Sequence, residues 1–265
     1  VRAAEGIDLA SGHHEIEWYG DRGAAALTPT FVFLHEGLGC VALWRDFPAR
    51  LCARLNLPGF AYSRLGYGRS DKGTRPLPVN YHMLEAVEVL PAVLAAVGID
   101  RPILIGHSDG GTIALLTAAL PVTPKPLAVV TLAAHVFNED VTVSGIERAR
   151  AAFTTTSLRD RLARYHGDNL DQAFWGWCDV WLSPAFRDWN IEGWLPAVRC
   201  PVLVMQGVDD GYGSARQVAA ICAGVCGPSE AMLLDGVGHA PHLEAPDEVI
   251  SAIERFLRRH RLIDV

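Results

Sequence analysis

The stretch Leu104-Ile105-Gly106-His107-Ser108-Asp109-Gly110-Gly111-Thr112-Ile113 sets one serine between glycines, with apolar residues running up to it and away from it. A short apolar run that ends in such a corner reads as a buried strand turning directly into a helix. The glycines have a physical reason: strand and helix approach closely on either side of the serine, where a β-carbon would clash. Gly106-His107-Ser108-Asp109-Gly110 also fits G-x-S-x-G, the pattern of a serine lifted above a sheet edge on a strained turn. Five such residues arise by chance; a strand before them and a helix after them give the pattern its weight.

Outward from this corner, short continuous apolar runs alternate with longer helical patterns. Thr30–Leu34, Gly59–Ser63, Pro102–Gly106, Ala128–Leu132 and Pro201–Met205 are uninterrupted, as strands buried on both faces are. Between and after them lie helical patterns over about 42–55, 82–97, 110–120, 214–224 and 246–259. The last opens with Pro246 at a favoured first position and Asp247 and Glu248 in the first turn. This βαβα rhythm predicts an α/β fold with a doubly wound, mostly parallel sheet. His14–Trp18 alternates, and reads as an antiparallel start. Residues 136–197 break the rhythm with helical patterning and hold five of the seven tryptophans, Trp175, Trp177, Trp181, Trp189 and Trp194. The expected organisation is a core over 1–135 and 198–265, with 136–197 a helical lid inserted between sheet strands.

Half of the 265 residues are hydrophobic and a fifth are charged, which suits a globular chain with a substantial core. A formal charge of −7 and the lack of a basic run argue against a nucleic-acid partner. Apolar runs fall well short of the ~20 residues of a membrane helix, so no membrane association is expected. The first eighteen residues lack the charged-then-apolar plan of a secretory signal, with chain before Val1 left open. Six cysteines without framework or ligand spacing read as free thiols in a reducing cytoplasm, with no metal and no cofactor. A homodimer is left open.

A serine hydroxyl is a poor nucleophile at neutral pH and needs a base, which in turn needs a carboxylate to orient it. The carboxylate pair Asp209-Asp210 follows the strand Pro201–Met205, and Gly236-Val237-Gly238-His239 follows the probable strand Glu230–Leu234. Both fall at carboxyl ends of strands, as Ser108 does, and the order serine, acid, histidine suits this kind of sheet.

With these residues in view, the chain resembles the α/β-hydrolase superfamily over nearly its whole length. "FLHEGLGCVALW" (Phe33–Trp44) is similar to the family's His-Gly-x oxyanion loop, "SRLGYGRSD" (Ser63–Asp71) to its D-x-x-G-x-G-x-S segment, and "GVGHAPHLEAP" (Gly236–Pro246) to its G-H-x-x-x-x-E-x-P ending. The resemblance implies Ser108 as nucleophile and His239 as base. It implies Asp210 as acid, because the family's G-x-x-D counted from Gly207 reaches it, with Asp209 the rival. The oxyanion donors would be the backbone N–H groups of Gly37 and Asp109. Glu36, Leu38, Trp175 and Trp181 are candidates to line the substrate pocket.

Three residues depart from the pattern. The loop reads His35-Glu36 where His-Gly is usual, and Asp109 adjoins the serine; both carboxylate side chains are expected to turn outward onto neighbouring loops. The competing reading has one of them position a water or a substrate hydroxyl. Ser63 replaces the usual Asp, with an effect expected on loop packing only.

The resulting expectation is a serine hydrolase that forms an acyl-enzyme on a small carboxylic ester with an apolar or aromatic portion. Thioesters, enol-lactones and C–C cleavage of meta-cleavage-type products are the enzymatic alternatives, and a ligand receptor of the same fold is the non-enzymatic one. Activity should fall as pH drops through about 6.5, where a histidine base is protonated.

Overall fold

The computed structural model describes residues 5–263. Strands β1 (Glu5–Leu9), β2 (Gly12–Tyr19), β3 (Thr30–Leu34), β4 (Gly59–Tyr62), β5 (Pro102–His107), β6 (Ala128–Leu132), β7 (Val202–Gly207) and β8 (Ser229–Leu234) form one sheet. Their spatial order is β1-β2-β4-β3-β5-β6-β7-β8. From β4 through β8 every pairing is parallel, while β2 runs antiparallel to both β1 and β4. The alternating segment His14–Trp18 therefore lies in an antiparallel strand, as its pattern implies. β1 was not foreseen, because it is a largely exposed edge strand with no apolar signal.

The helices are α1 (Phe47–Leu55), α2 (Tyr81–Leu84), α3 (Leu90–Val97), α4 (Asp109–Ala119), α5 (Asp140–Thr155), α6 (Leu158–His166), α7 (Leu170–Trp181), α8 (Ala215–Gly224), α9 (Pro241–Glu244) and α10 (Pro246–Arg259). A π turn over Glu85–Val89 joins α2 to α3.

Strand residues divide by parity between two cores, as a pleated sheet requires. Val32, Leu34, Leu104, Val129, Val202 and Val204 face one layer with Leu90, Val93, Ile113, Val218 and Ile221 of α3, α4 and α8. Phe31, Phe33, Ile103, Ile105, Val130 and Leu203 face the other, with Phe47 and Leu51 of α1 and Val249, Ile253 and Phe256 of α10. Both faces are covered, so the strands read as unbroken apolar runs. The doubly wound architecture is the one expected.

Between β6 and β7 the chain leaves the sheet for α5, α6 and α7. These helices have their own core, built on Ile146, Phe153, Phe174, Trp177 and Trp181 and shared with Tyr81. Among the described residues, no helix is long and apolar enough to cross a membrane.

Candidate active site

Ser108 sits between β5 and α4 with φ 50° and ψ −115°, a conformation that costs on the order of 1–3 kcal/mol and holds only where the surroundings enforce it. The enforcement is visible. A β-carbon on Gly106 would lie 2.1 Å from the Gly110 carbonyl oxygen, and one on Gly110 would lie 1.8 Å from the Leu34 carbonyl oxygen. The Ser108 amide donates to the Leu132 carbonyl at 2.8 Å, tying the corner to β6. The hydroxyl makes no hydrogen bond among the described residues and opens into a cavity of about 190 Å³.

His239, on the loop after β8, lines the same cavity. Its Nδ1 lies 2.9 Å from each carboxylate oxygen of Asp210, on the loop after β7. Asp210 also accepts from the Tyr212 amide at 2.8 Å and from Gln206 Nε2 at 3.1 Å. Burial pushes its carboxyl up, but the His239 hydrogen bond and charge and the Tyr212 amide outweigh this and hold it below the ordinary value. Asp210 is buried, whereas Asp209 is exposed. The imidazole loop is braced twice: Glu244 accepts from the Gly238 and Ala240 amides at 2.8 and 3.0 Å, and His107 Nε2 donates to the His239 carbonyl at 2.8 Å.

Gly37 lines the cavity opposite. Neither its amide nor that of Asp109 donates to a protein acceptor among the described residues. The Asp109 amide belongs to the first turn of α4, where backbone N–H groups carry the positive end of the helix dipole.

The two flanking carboxylates do not turn outward, and this corrects the expectation. Asp109 points into the interior, fully buried, and accepts from the Tyr81 hydroxyl at 2.7 Å. Arg64 Nη2 lies 3.6 Å away, and His82 Nε2 lies 3.3 Å from the other oxygen without hydrogen-bond alignment. Burial alone would push the Asp109 carboxyl up, yet His82, Arg64 and Tyr81 together hold it well below its usual range. Glu36 remains at the cavity wall, 3.3 Å from His107 Nδ1. Burial pushes its carboxyl up as well, and His107 overcomes this to keep it ionised. His107 shows the converse: burial pulls it down and Glu36 raises it above its ordinary value. Each of these two carboxylates is thus matched to its own cation or donor.

Ser63 does affect loop packing. Its hydroxyl donates to Glu15 of β2 at 2.7 Å and accepts from the Val41 amide at 3.0 Å, so the carboxylate in this corner comes from another strand.

Leu38 and Trp181 line the cavity, as does Trp177. Trp175 does not; it lines an outer cleft with Phe153, Arg75 and Arg159. Helical phase separates them: Phe174, Trp177 and Trp181 recur at i, i+3 and i+7 on one side of α7, and Trp175 is turned away. The periodicity was available in the sequence and points to Trp177. His135, Thr142, Ile146 and Tyr212 complete the wall, and no sequence pattern marked them. Burial, and then the nearby charge of His239, lowers His135 to about 4. His242 is buried with its ring against Trp44 and His107. Among the described residues, no group of three or more His, Cys, Asp or Glu side chains is placed to hold a metal ion.

A sequence profile of the alpha/beta hydrolase family matches residues 31–252, and the chain belongs to that family. It is a hydrolase. The mouse serine hydrolase BPHL is 26% identical over 201 residues, which cover 75% of this chain and 68% of that protein. The proline iminopeptidase of Heyndrickxia coagulans is 23% identical over 297 aligned positions, covering 95% and 97%. Among solved structures, the enol-lactonase from Burkholderia xenovorans LB400 superposes with a TM-score of 0.74 at 16% identity, over 96% of this chain and all of that one, a likeness of fold.

Proposed function

We propose that the chain hydrolyses small carboxylic esters through an acyl-enzyme on Ser108. The observation that carries this reading is the Asp210–His239 pair, bonded at 2.9 Å and facing the cavity into which the elbow lifts Ser108. Asp210 accepts from Nδ1–H and so fixes the tautomer that leaves Nε2 unprotonated as a base. His239 takes the Ser108 proton as the hydroxyl oxygen attacks the ester carbonyl. The negative charge that develops on the substrate oxygen meets the Gly37 and Asp109 amides, each such donor typically worth ~3 kcal/mol of barrier. The proton then passes from His239 to the departing alcohol, and water activated by the same imidazole releases the acid.

The helical segment 136–197 acts in this reading as the lid, because Thr142, Ile146, Trp177 and Trp181 come from it. The cavity, about 190 Å³ and walled by Ile146, Trp177 and Trp181, favours a short or single-ring acyl group. We place the protein in a reducing cytoplasm, since its six cysteines are free thiols.

The test is incubation with an aryl fluorophosphonate followed by intact mass, then turnover of p-nitrophenyl esters of increasing acyl length. One adduct on the wild type, none on Ser108→Ala, and fastest turnover for short acyl chains are expected. Labelling without ester turnover would redirect the reading to thioesters, lactones or C–C cleavage. A folded protein that takes no label would overturn it.

A further inference from the structure

The peptide joining Glu36 to Gly37 is held with unusual thoroughness. Its N–H belongs to Gly37 and its carbonyl to Glu36, so whatever binds the carbonyl sets the direction and polarity of the amide at the other end. That carbonyl accepts from His35 Nδ1 at 2.7 Å, from Arg64 Nη2 at 3.0 Å and from the Gly39 amide at 3.0 Å. His35 must donate here, because its Nε2 accepts from the Arg64 amide at 3.1 Å. Arg64 Nη1 donates in addition to the His35 carbonyl at 2.8 Å.

The same guanidinium reaches the other side of the site. Arg64 is buried, and its Nη2 lies 3.6 Å from the carboxylate of Asp109, the residue whose own amide opens α4 beside Ser108. The face of Tyr67 covers the guanidinium, with Cζ 4.9 Å from the ring centroid. A planar fork with several fixed donors can serve two acceptors at once; an ammonium cannot reproduce that geometry. Donors on a carbonyl also polarise the peptide toward a stronger N–H at its far end.

We propose that Arg64 is a positioning residue of the oxyanion hole, fixing and polarising the Glu36–Gly37 peptide while anchoring Asp109. The inference rests on the hydrolase reading above, and it assigns a task to a buried cation that touches no substrate. Its effect belongs to the transition state: the Gly37 amide meets full negative charge only after the serine has attacked.

The experiment compares wild type with Arg64→Lys in three measurements: ester kinetics, thermal unfolding, and affinity for phenylboronic acid, which becomes a tetrahedral anion on Ser108. Lysine keeps the buried charge and loses the fork. Arg64→Lys should lower kcat by about 10- to 100-fold, less than the ~10²–10³ for deleting an oxyanion donor outright. KM should stay within about threefold, and boronate affinity should fall by the same factor as kcat. The double variant Arg64→Met/Asp109→Asn removes both charges together, avoids an unpaired buried ion, and should show the same paired loss. A lower melting temperature with kcat and boronate affinity unchanged would make Arg64 a strut and overturn the proposal. Wild-type protein that neither takes fluorophosphonate nor binds boronate would overturn the hydrolase reading, and this inference with it.

Discussion

Gly37 has no room for a methyl group. A β-carbon built there lies 2.2 Å from Trp177 Cδ1 and 2.3 Å from its Nε1, so indole or loop must retreat by about 1.2 Å to reach ordinary contact. The indole packs against Phe174, with ring centroids 6.1 Å apart, and borders the cavity, while hydrogen bonds to the Glu36 carbonyl tie the loop; the added methyl strains both, and either retreat disturbs the cavity that Ser108 faces. In the proposed mechanism that loop carries the Gly37 amide that meets the developing oxyanion. A misplacement of about 1 Å costs ~10²-fold in rate, and complete loss of one donor about 10²–10³-fold. Gly37→Ala should therefore lose about 10²-fold or more in kcat for a short p-nitrophenyl ester, with far-UV spectrum and melting temperature close to wild type. Trp177→Leu removes the obstacle. The double variant Gly37→Ala/Trp177→Leu should regain at least about tenfold over Gly37→Ala, ~1.4 kcal/mol of barrier. A folded Gly37→Ala enzyme with kcat within threefold of wild type would refute the reasoning, as would a double variant no faster than Gly37→Ala.

Asp210→Asn should lower kcat by about 10³–10⁴-fold through loss of the tautomer-fixing acceptor, while Asp209→Asn leaves it within about twofold; equal effects in steady-state assays would contradict the assignment. Trp181→Ala should change KM and the acyl-length optimum and Trp175→Ala neither, which a panel of esters will decide. His135, held neutral to about pH 4 by burial, makes stability pH-dependent. Its folded value lies below the unfolded ~6.5, so the unfolded chain takes the proton first and stability is lost as pH falls from ~6.5 to ~4, by roughly 3 kcal/mol in all. Urea unfolding of His135→Gln should show a slope shallower by up to ~1.4 kcal/mol per pH unit across that window; an unchanged slope would exclude His135 as the source.

The parallel sheet was legible because strands buried on both faces carry continuous apolar residues, as Phe31-Val32-Phe33 and Ile103-Leu104-Ile105 do. The elbow was legible because its glycines answer steric demands made within a few residues, although the partner at Gly110 is the distant Leu34 carbonyl. What the sequence concealed depends on contacts made across the fold. Nothing near Asp109 in the chain announces Tyr81 and Arg64, and nothing near Ser63 announces Glu15, so outward-facing carboxylates and a merely local serine were the natural expectations. Trp175 is a different matter. The tryptophan-rich composition suggested it, and the helical phase within α7 was sufficient to prefer Trp177.

Segment 136–197 contributes four cavity walls, Thr142, Ile146, Trp177 and Trp181, while Ser108, Asp210 and His239 hang from the ends of β5, β7 and β8. Under the proposed ester hydrolysis, a graft of a foreign insert between β6 and β7 would then retune which acyl groups enter and leave Ser108, Asp210 and His239 in place. The join is keyed, however. His166, at the end of α6, accepts the Gly68 amide at 3.0 Å and donates to the Leu38 carbonyl at 3.0 Å, one residue past Gly37. Asn169 adds bonds to the carbonyls of Gly68 and Ser70 at 3.3 and 2.7 Å. An insert without a matching donor and acceptor leaves Leu38 and Gly68 unpaired in the interior and frees the loop that carries Gly37. Transplanted specificity will come with activity only when the donor sequence brings that imidazole, or its equivalent, along.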